Sequence, residues 1–334
     1  MAIRNFGKIV LHTLGAAVLG LATAGFSAAY AAFPTGPITI IVPFGAGGST
    51  DQIGRLIANH FQKDFKVPVI VENKPGANAT IGNSFVARSK PDGQTLLIGG
   101  TDMTASQFLY KNLPYDPETA FTPIGIVAEF PFLMLIDKRR GITSVAQYVD
   151  YAQKNPDKSS FSSAGIGNST HLAGEMFKKA TKLDALVHVP FNASPQALNA
   201  VISGQVDYAF DPAISSIALV TGGKANALAV VADRRLTALP NVPTMSELGY
   251  KDFDRLSPWS WKGLFAPAGT PQEVLDMLQK SLARLLQDPA FIQQIEKTAS
   301  LVVPPKSTTA SQEFLTNQRK GWGALIRELH IEQQ

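Results

Sequence analysis

The chain has 334 residues (35.7 kDa), 45% of them hydrophobic and 17% charged, and no cysteine. That length carries about two domains and a sizeable core. The missing cysteine excludes disulfide scaffolds, thiolate metal sites, cysteine nucleophiles and cysteine-linked lipid anchors. The pI of about 9.1 rests on 30 basic against 26 acidic side chains, and the longest basic run is Lys138-Arg139-Arg140. So sparse a charge argues against a nucleic-acid partner.

Residues 1–31 read as a secretory signal. Arg4 and Lys8 precede a long apolar run from Ile9 to Phe26, and Ala29-Tyr30-Ala31 offers a small-residue cleavage site. An uncleaved anchor is the alternative, since the run is long enough to span a bilayer. Cleavage removes half of the formal +4 charge and leaves a nearly neutral mature protein. Export to a bacterial periplasm is the simplest destination.

Short apolar runs then alternate with helical periodicities. Ile38 to Val42 reads as a buried strand, and Thr50 to Phe65 as a helix with Ile53, Leu56, Ile57 and Phe61 on one face. Val69 to Val71 predicts a strand, Asn78 to Ser89 a helix, and Thr95 to Ile98 a strand. The pattern repeats with a strand at Phe132 to Ile136 and a helix opened by the capping box Ser144 to Gln147. A strand near Phe161, a helix from Ser169, a strand at Leu186 to Val189 and a helix at Ser194-Pro195 follow. Strands at Val206 to Phe210 and Ala227 to Val231 complete this part. Such alternation implies right-handed βαβ crossovers and parallel sheets. The C-terminal part is helical, with starts at Thr270-Pro271-Gln272-Glu273, Asp288-Pro289 and Thr309. No flexible linker separates the two strand-rich regions, which predicts two α/β lobes joined at a hinge around a cleft.

Two glycine-rich turns join strands to helices: Pro43 to Gln52 and Ser162 to His171. Ser49 and Gln52 have the spacing of an N-cap and its N3 partner. Glycines allow close backbone approach, and free N–H groups with the helix dipole favour an anion. A P-loop lysine is missing, and Thr50 stands where a dinucleotide motif needs its third glycine, although Glu72 ends the following strand. A tight turn without ligand remains the plain alternative for the first loop. One turn in each lobe suits a small acid clamped across a cleft.

Catalytic motifs such as G-x-S-x-G and H-E-x-x-H are not found. Among the histidines, His12 belongs to the signal, His60 and His330 read as surface residues and His188 as strand packing. His171 is the candidate ligand contact or helix-start donor, with a general base as the lesser alternative. Asp211 ends a strand at the edge where α/β sites form, or caps a helix. Trp259 and Trp261 read as core or hinge packing, or as cleft lining.

The chain resembles the substrate-binding proteins of the tripartite tricarboxylate transporter family, the Bug receptors, over essentially its whole mature length. The resemblance rests on ITIIVPFGAGGSTDQIGR, VIVENKPGANATIG, KPDGQTLLIG, SSAGIGNSTHLAGEMF, HVPFNASPQALNAVISGQVDYAFD, LPNVPTMSELGY and WKGLFAPAGTP. It implies a two-lobed α/β periplasmic binding protein of type II architecture, with lobe 1 from 32–130 with 256–334 and lobe 2 from 131–255. It implies that the ligand carboxylate is held by Phe44, Gly45, Ala46, Gly47, Gly48, Ser49 and Asp51 of the first turn. Ser163, Ala164, Gly165, Ser169 and His171 of the second turn join them, and Asp211 maps to a cleft-facing position. The implied ligands are di- and tricarboxylates, acidic amino acids or aromatic acids, delivered by a monomeric receptor to membrane permease subunits, with no cofactor and no metal. A sensor feeding a membrane signalling protein, or an exported enzyme using His171 and Asp211, are the other readings. FGAGG stands where the family commonly has FAAGG, and VPFNASPQAL where VPYKGSGPAL is frequent. Asn192 and Ala193 therefore leave the distal contacts unassigned.

Overall fold

The computed structural model describes residues 33–256 and 258–333. The expected signal at residues 1–31 lies outside them. β1 (Ile38–Val42) is almost wholly buried, and each fully covered isoleucine or valine contributes roughly 1.5–3 kcal/mol. α1 (Ser49–Phe65) buries Ile53, Ile57, Ala58 and Phe61 against the sheet and ends at left-handed Lys66. β2 (Val69–Asn73), α2 (Thr80–Ala87), β3 (Thr95–Gly100), α3 (Thr101–Leu109) and β4 (Phe121–Phe130) complete the first pass.

The chain then changes sheets. β5 (Phe132–Asp137) begins one residue after β4, with only Pro131 between them. α4 (Val145–Lys154), β6 (Ser160–Ser163), α5 (Ser169–Thr181), β7 (Val187–Pro190), α6 (Ser194–Ile202), β8 (Tyr208–Pro212), α7 (Ala213–Thr221) and β9 (Ala225–Val231) build the second unit. The return enters the first sheet as β10 (Ser260–Pro267), followed by α8 (Gln272–Gln287), α9 (Pro289–Glu296), β11 (Leu301–Val302) and α10 (Thr308–Glu328).

The first sheet has the order β11-β4-β10-β3-β1-β2 and the second β7-β6-β8-β5-β9. β1 is parallel to β2 and β3, and β6 to β7 and β8, as the βαβ alternation predicts. The strands at the two crossings are antiparallel: β10 between β3 and β4, and β5 between β8 and β9. This is the two-lobed arrangement with an interlobe cleft. α10 spans the crossing, because Trp322, Leu325 and Ile326 share a core with Ala105 and Leu109 of α3 and with Phe132 and Phe210 of the second unit. Glu328 near its end pairs with Lys179 and Arg255.

Several local readings need correction. Gly48, not Ser49, is the N-cap of α1; Ser49 is the first helical residue, and no side chain caps this end. α2 starts at Thr80 rather than Asn78, because Ala77, Asn78 and Ala79 all have positive φ. Thr270 does not cap α8, since its hydroxyl donates to the Pro267 carbonyl and Pro271 stands at the N-cap. His60 is half-buried and its Nε2 bonds the Ser281 carbonyl across α1 and α8. Trp259 and Trp261 are packing residues, with Trp261 Nε1 donating to Gln318.

Candidate ligand-binding cleft

The starts of α1 and α5, one from each unit, open into one cleft. It is lined by Phe44, Gly45, Gly48, Ser49 and Thr50 on one side and by Ala164, Asn168, Ser169 and Thr170 on the other. Ala193, Ser194, Pro212, Ser260 and Lys262 close it, and only about 20 Å³ of free space is left between the two sides. The two units touch closely here. A Cβ built on Gly45 would lie 2.9 Å from Ala193 Cβ, and one on Gly167 would lie 2.5 Å from Leu109 Cδ1. Glycine is needed at both places to let the units meet.

The first turn is braced from below. Asp51 accepts from the Gly47 N–H and Arg55 Nε, both at 2.9 Å, and from Asn73 Nδ2 at 3.0 Å. Asn73 Nδ2 also donates to the Phe44 carbonyl. Burial pushes the Asp51 carboxyl up, but Arg55, the Gly47 amide and Asn73 outweigh it and hold the carboxyl below its ordinary value. An acid at N3 also suits the helix dipole. Since Asp51 serves the turn and no side chain caps α1, the first N–H groups of this helix lack a side-chain partner among the described residues.

The second turn is satisfied largely from within. Asn168 Oδ1 accepts from the Thr170 N–H at 3.0 Å, so α5 carries its own cap. The Ala164 N–H donates to Thr170 Oγ1, the Gly165 N–H to Ser163 Oγ, and the Gly167 N–H to His171 Nδ1. His171 stacks on His188 with centroids 4.1 Å apart, and His188 lies against Phe161. His188 Nε2 meets Ser163 Oγ at 2.6 Å. Burial, then the neighbouring His171, depresses the His188 imidazole to about 3, so it is neutral near pH 7.

A buried polar set lies at the cleft's base. Lys262 of β10 is only 6% exposed and lines the cleft. Burial lowers its ammonium pKa, while Asp102 at the start of α3 and Asp211 at the end of β8 act to raise it. Burial raises Asp102, against Lys262 and an Asn83 hydrogen bond of 3.1 Å. Burial likewise lifts Asp211 to about 7, opposed by the neighbouring Ser194 and Ser215 hydroxyls and by Lys262.

Residues 53–331 match the family described as the Tripartite tricarboxylate transporter family receptor. The chain belongs to this family. Among solved structures it is similar to the periplasmic binding protein BugD, at TM-score 0.85 and 35% identity over 90% of this chain and 100% of that one. It is also similar to Rhodopseudomonas palustris MatC with bound malate, at TM-score 0.81 and 29% identity over 88% and 100% of the two chains. The R. palustris protein Rpa4515 with adipate gives TM-score 0.84 and 28% identity over 90% and 100%. The family and these neighbours are binding proteins, and membership places the chain among periplasmic receptors.

Within this tripartite tricarboxylate transporter receptor, Phe44, Gly45, Gly48, Ser49, Ala164 and Ser169 of the expected set line the cleft. Ala46, Gly47, Asp51, Ser163, Gly165, His171 and Asp211 are not in that lining. Gly47, Asp51, Ser163, Gly165 and His171 hold the two turns in shape. His171 is an acceptor for a backbone N–H rather than a helix-start donor, because the turn folds its own amide onto the ring. Asp211 lies in β8 beside cleft-lining Pro212, and Pro212 rather than Asp211 occupies the N-cap of α7. Thr50, Asn168 and Thr170 also line the cleft and lie within the two expected turns, whereas Ser194, Ser260 and Lys262 escape the sequence reading as cleft residues. A lysine directly after Trp261, at the head of the apolar run Gly263 to Pro267, was the available signal for the last. Among the described residues no group of three His, Asp or Glu is placed to hold a metal ion. A roomier hollow at the Pro131 crossing, lined by residues 232–238, Glu296 and 299–301, has none of the helix starts.

Proposed function

We propose that this receptor captures a small organic carboxylate between its two lobes and presents it to the membrane permease subunits of a tripartite tricarboxylate-type transporter. The observation that carries the reading is the uncapped start of α1 facing the start of α5 across a cleft that also contains a buried lysine. Amides at an open helix start, with the Ser49 and Ser169 hydroxyls, supply donors that an oxyanion satisfies. The malate and adipate bound by MatC and Rpa4515 support a carboxylate ligand here. Gly45, Gly48, Ser49, Ala164 and Ser169 are the proposed direct contacts, and Gly47, Asp51, Ser163, Gly165 and His171 keep the turns in register for them. Lobe 1 (32–130 with 256–334) and lobe 2 (131–255) close about the Pro131 crossing. Ligand stabilises the closed form because only there does it meet both helix starts.

Thermal melting and calorimetry with malate, succinate and adipate, on protein stripped of any co-purified acid, test the reading. A rise in melting temperature with at least one acid is expected, since a ligand of the folded state stabilises it. No shift and no binding heat across a broad panel of organic acids would overturn it.

A further inference from the structure

Lys262 is the least explained charged group of the cleft. It sits on β10 in the wall between the two units, and it is buried yet part of the cleft lining. Among the described residues its Nζ has no ion-pair partner within 4 Å; Asp102 and Asp211 act on it only through longer-range attraction. The space for it is kept open by the missing side chain of Gly100, whose Cβ would stand 2.7 Å from Nζ and 3.3 Å from Asp102 Oδ1. Gly100 has extended φ, so the glycine serves space rather than conformation. Among the described residues Asp211 Oδ1 is buried without a hydrogen-bond partner. A buried ammonium without contact partners carries a large desolvation cost, which a hydrogen-bonded anion relieves.

We infer that Lys262 is the specificity-determining cation of the cleft, taking the second carboxylate of a short dicarboxylic acid whose first carboxylate sits at the helix starts of α1 and α5. This rests on the carboxylate-receptor reading above and names its substrate class. The helix starts offer neutral donors and accept any carboxylate, so they do not separate a diacid from a monoacid. Lys262 does, because a neutral amide or methyl at the far end leaves the ammonium unpaired. Burial pushes both Asp102 and Asp211 toward the neutral form, which leaves the lysine charge free for a ligand carboxylate. An ammonium on the ligand's far end is rejected by the same lysine.

Calorimetry on the full mature chain with succinate, its monoamide succinamate, and butyrate tests the inference. The wild type is expected to bind succinate at least tenfold more tightly than succinamate. Lys262→Met should lower succinate affinity to near that of succinamate, with less than threefold change for succinamate itself, and Lys262→Arg should restore most of the preference. Because Lys262→Met leaves two buried acids, the double variant Lys262→Met/Asp211→Asn is measured beside it, with melting curves to confirm folding. An unchanged succinate-to-succinamate ratio in folded Lys262→Met, or in the folded double variant, overturns the inference while the carboxylate-receptor reading stands. Binding of neither acid, nor of any other carboxylate, by the wild type overturns both.

Discussion

The two glycine turns look alike in sequence, but their hydrogen bonds differ. The first ends at a helix without a side-chain cap, and its acid, Asp51, is spent on bracing Gly47 and Asn73. The second caps its own helix through Asn168 and ties the Ala164, Gly165 and Gly167 amides to Thr170, Ser163 and His171. One turn therefore leaves its amides open to the cleft, while the other is a rigid wall that contributes shape and hydroxyls. On the carboxylate-receptor reading proposed above, an asymmetric division of this kind would let one lobe hold the anion before the other arrives.

The largest effect that would break this contrast comes from the contact across the cleft. Gly45→Val places a side chain where Ala193 already stands at 2.9 Å, so closure should fail. Affinity for the bound acid is expected to fall by about a hundredfold or more, equivalent to roughly 2.7 kcal/mol, with little change in melting temperature. Gly48→Ala is the control, because its Cβ meets only the Gly45 carbonyl at 4.0 Å. Calorimetry showing the two variants equal would remove the glycine contact from the mechanism.

The next test separates bracing from capping. Asp51→Ala strands the Gly47 amide and Asn73 and should cost about 2–3 kcal/mol in denaturant unfolding, with weaker ligand binding. Asn168→Ala removes a helix cap and should cost about 1 kcal/mol, with affinity unchanged or raised as another N–H becomes available. Equal losses of affinity in both would erase the distinction between the turns.

A pH test addresses the second turn alone. The folded His188 imidazole is depressed to about 3, below its ordinary value of 6.5. The unfolded chain therefore binds a proton that the folded one refuses. Stability is fully present above pH 6.5 and falls as pH drops from there toward 3. His188→Phe should melt above the wild type at pH 4, by about 2 kcal/mol after allowance for partial solvent exposure, and slightly below it at pH 8, where the Ser163 contact is lost. Parallel melting curves across this range would show that His188 does not titrate as described. The smallest effect is expected for Arg55→Ala: its side chain is half-exposed, so loss of the Asp51 pair should cost under about 1 kcal/mol.

Much of the fold is legible in the residues because it rests on local rules. The strand at Ile38 to Val42, the caps at Ser144 and Asp288 and the helix beginning at Ser169 follow from periodicity and side-chain chemistry alone. α3 and α7 escape because they start directly after strands β3 and β8, with buried threonine, serine and alanine faces that carry little amphipathic contrast. β4 escapes for a related reason: Pro123 and Gly125 interrupt its apolar run, and pairing with β10 overrides them.

The site divides along the same line. Glycine spacing marks where the backbone approaches closely, because turn geometry and helix dipoles act over a few residues. The second turn ties its amides to side chains within a few residues, whereas the first is braced by Asn73 from the next strand, a partner beyond that range. Lys262 is decided by tertiary structure entirely. Its neighbours Asp102 and Asp211 lie 160 and 51 positions away in the chain, and only the crossing of β10 between the lobes gathers the three charges at the base of one cleft.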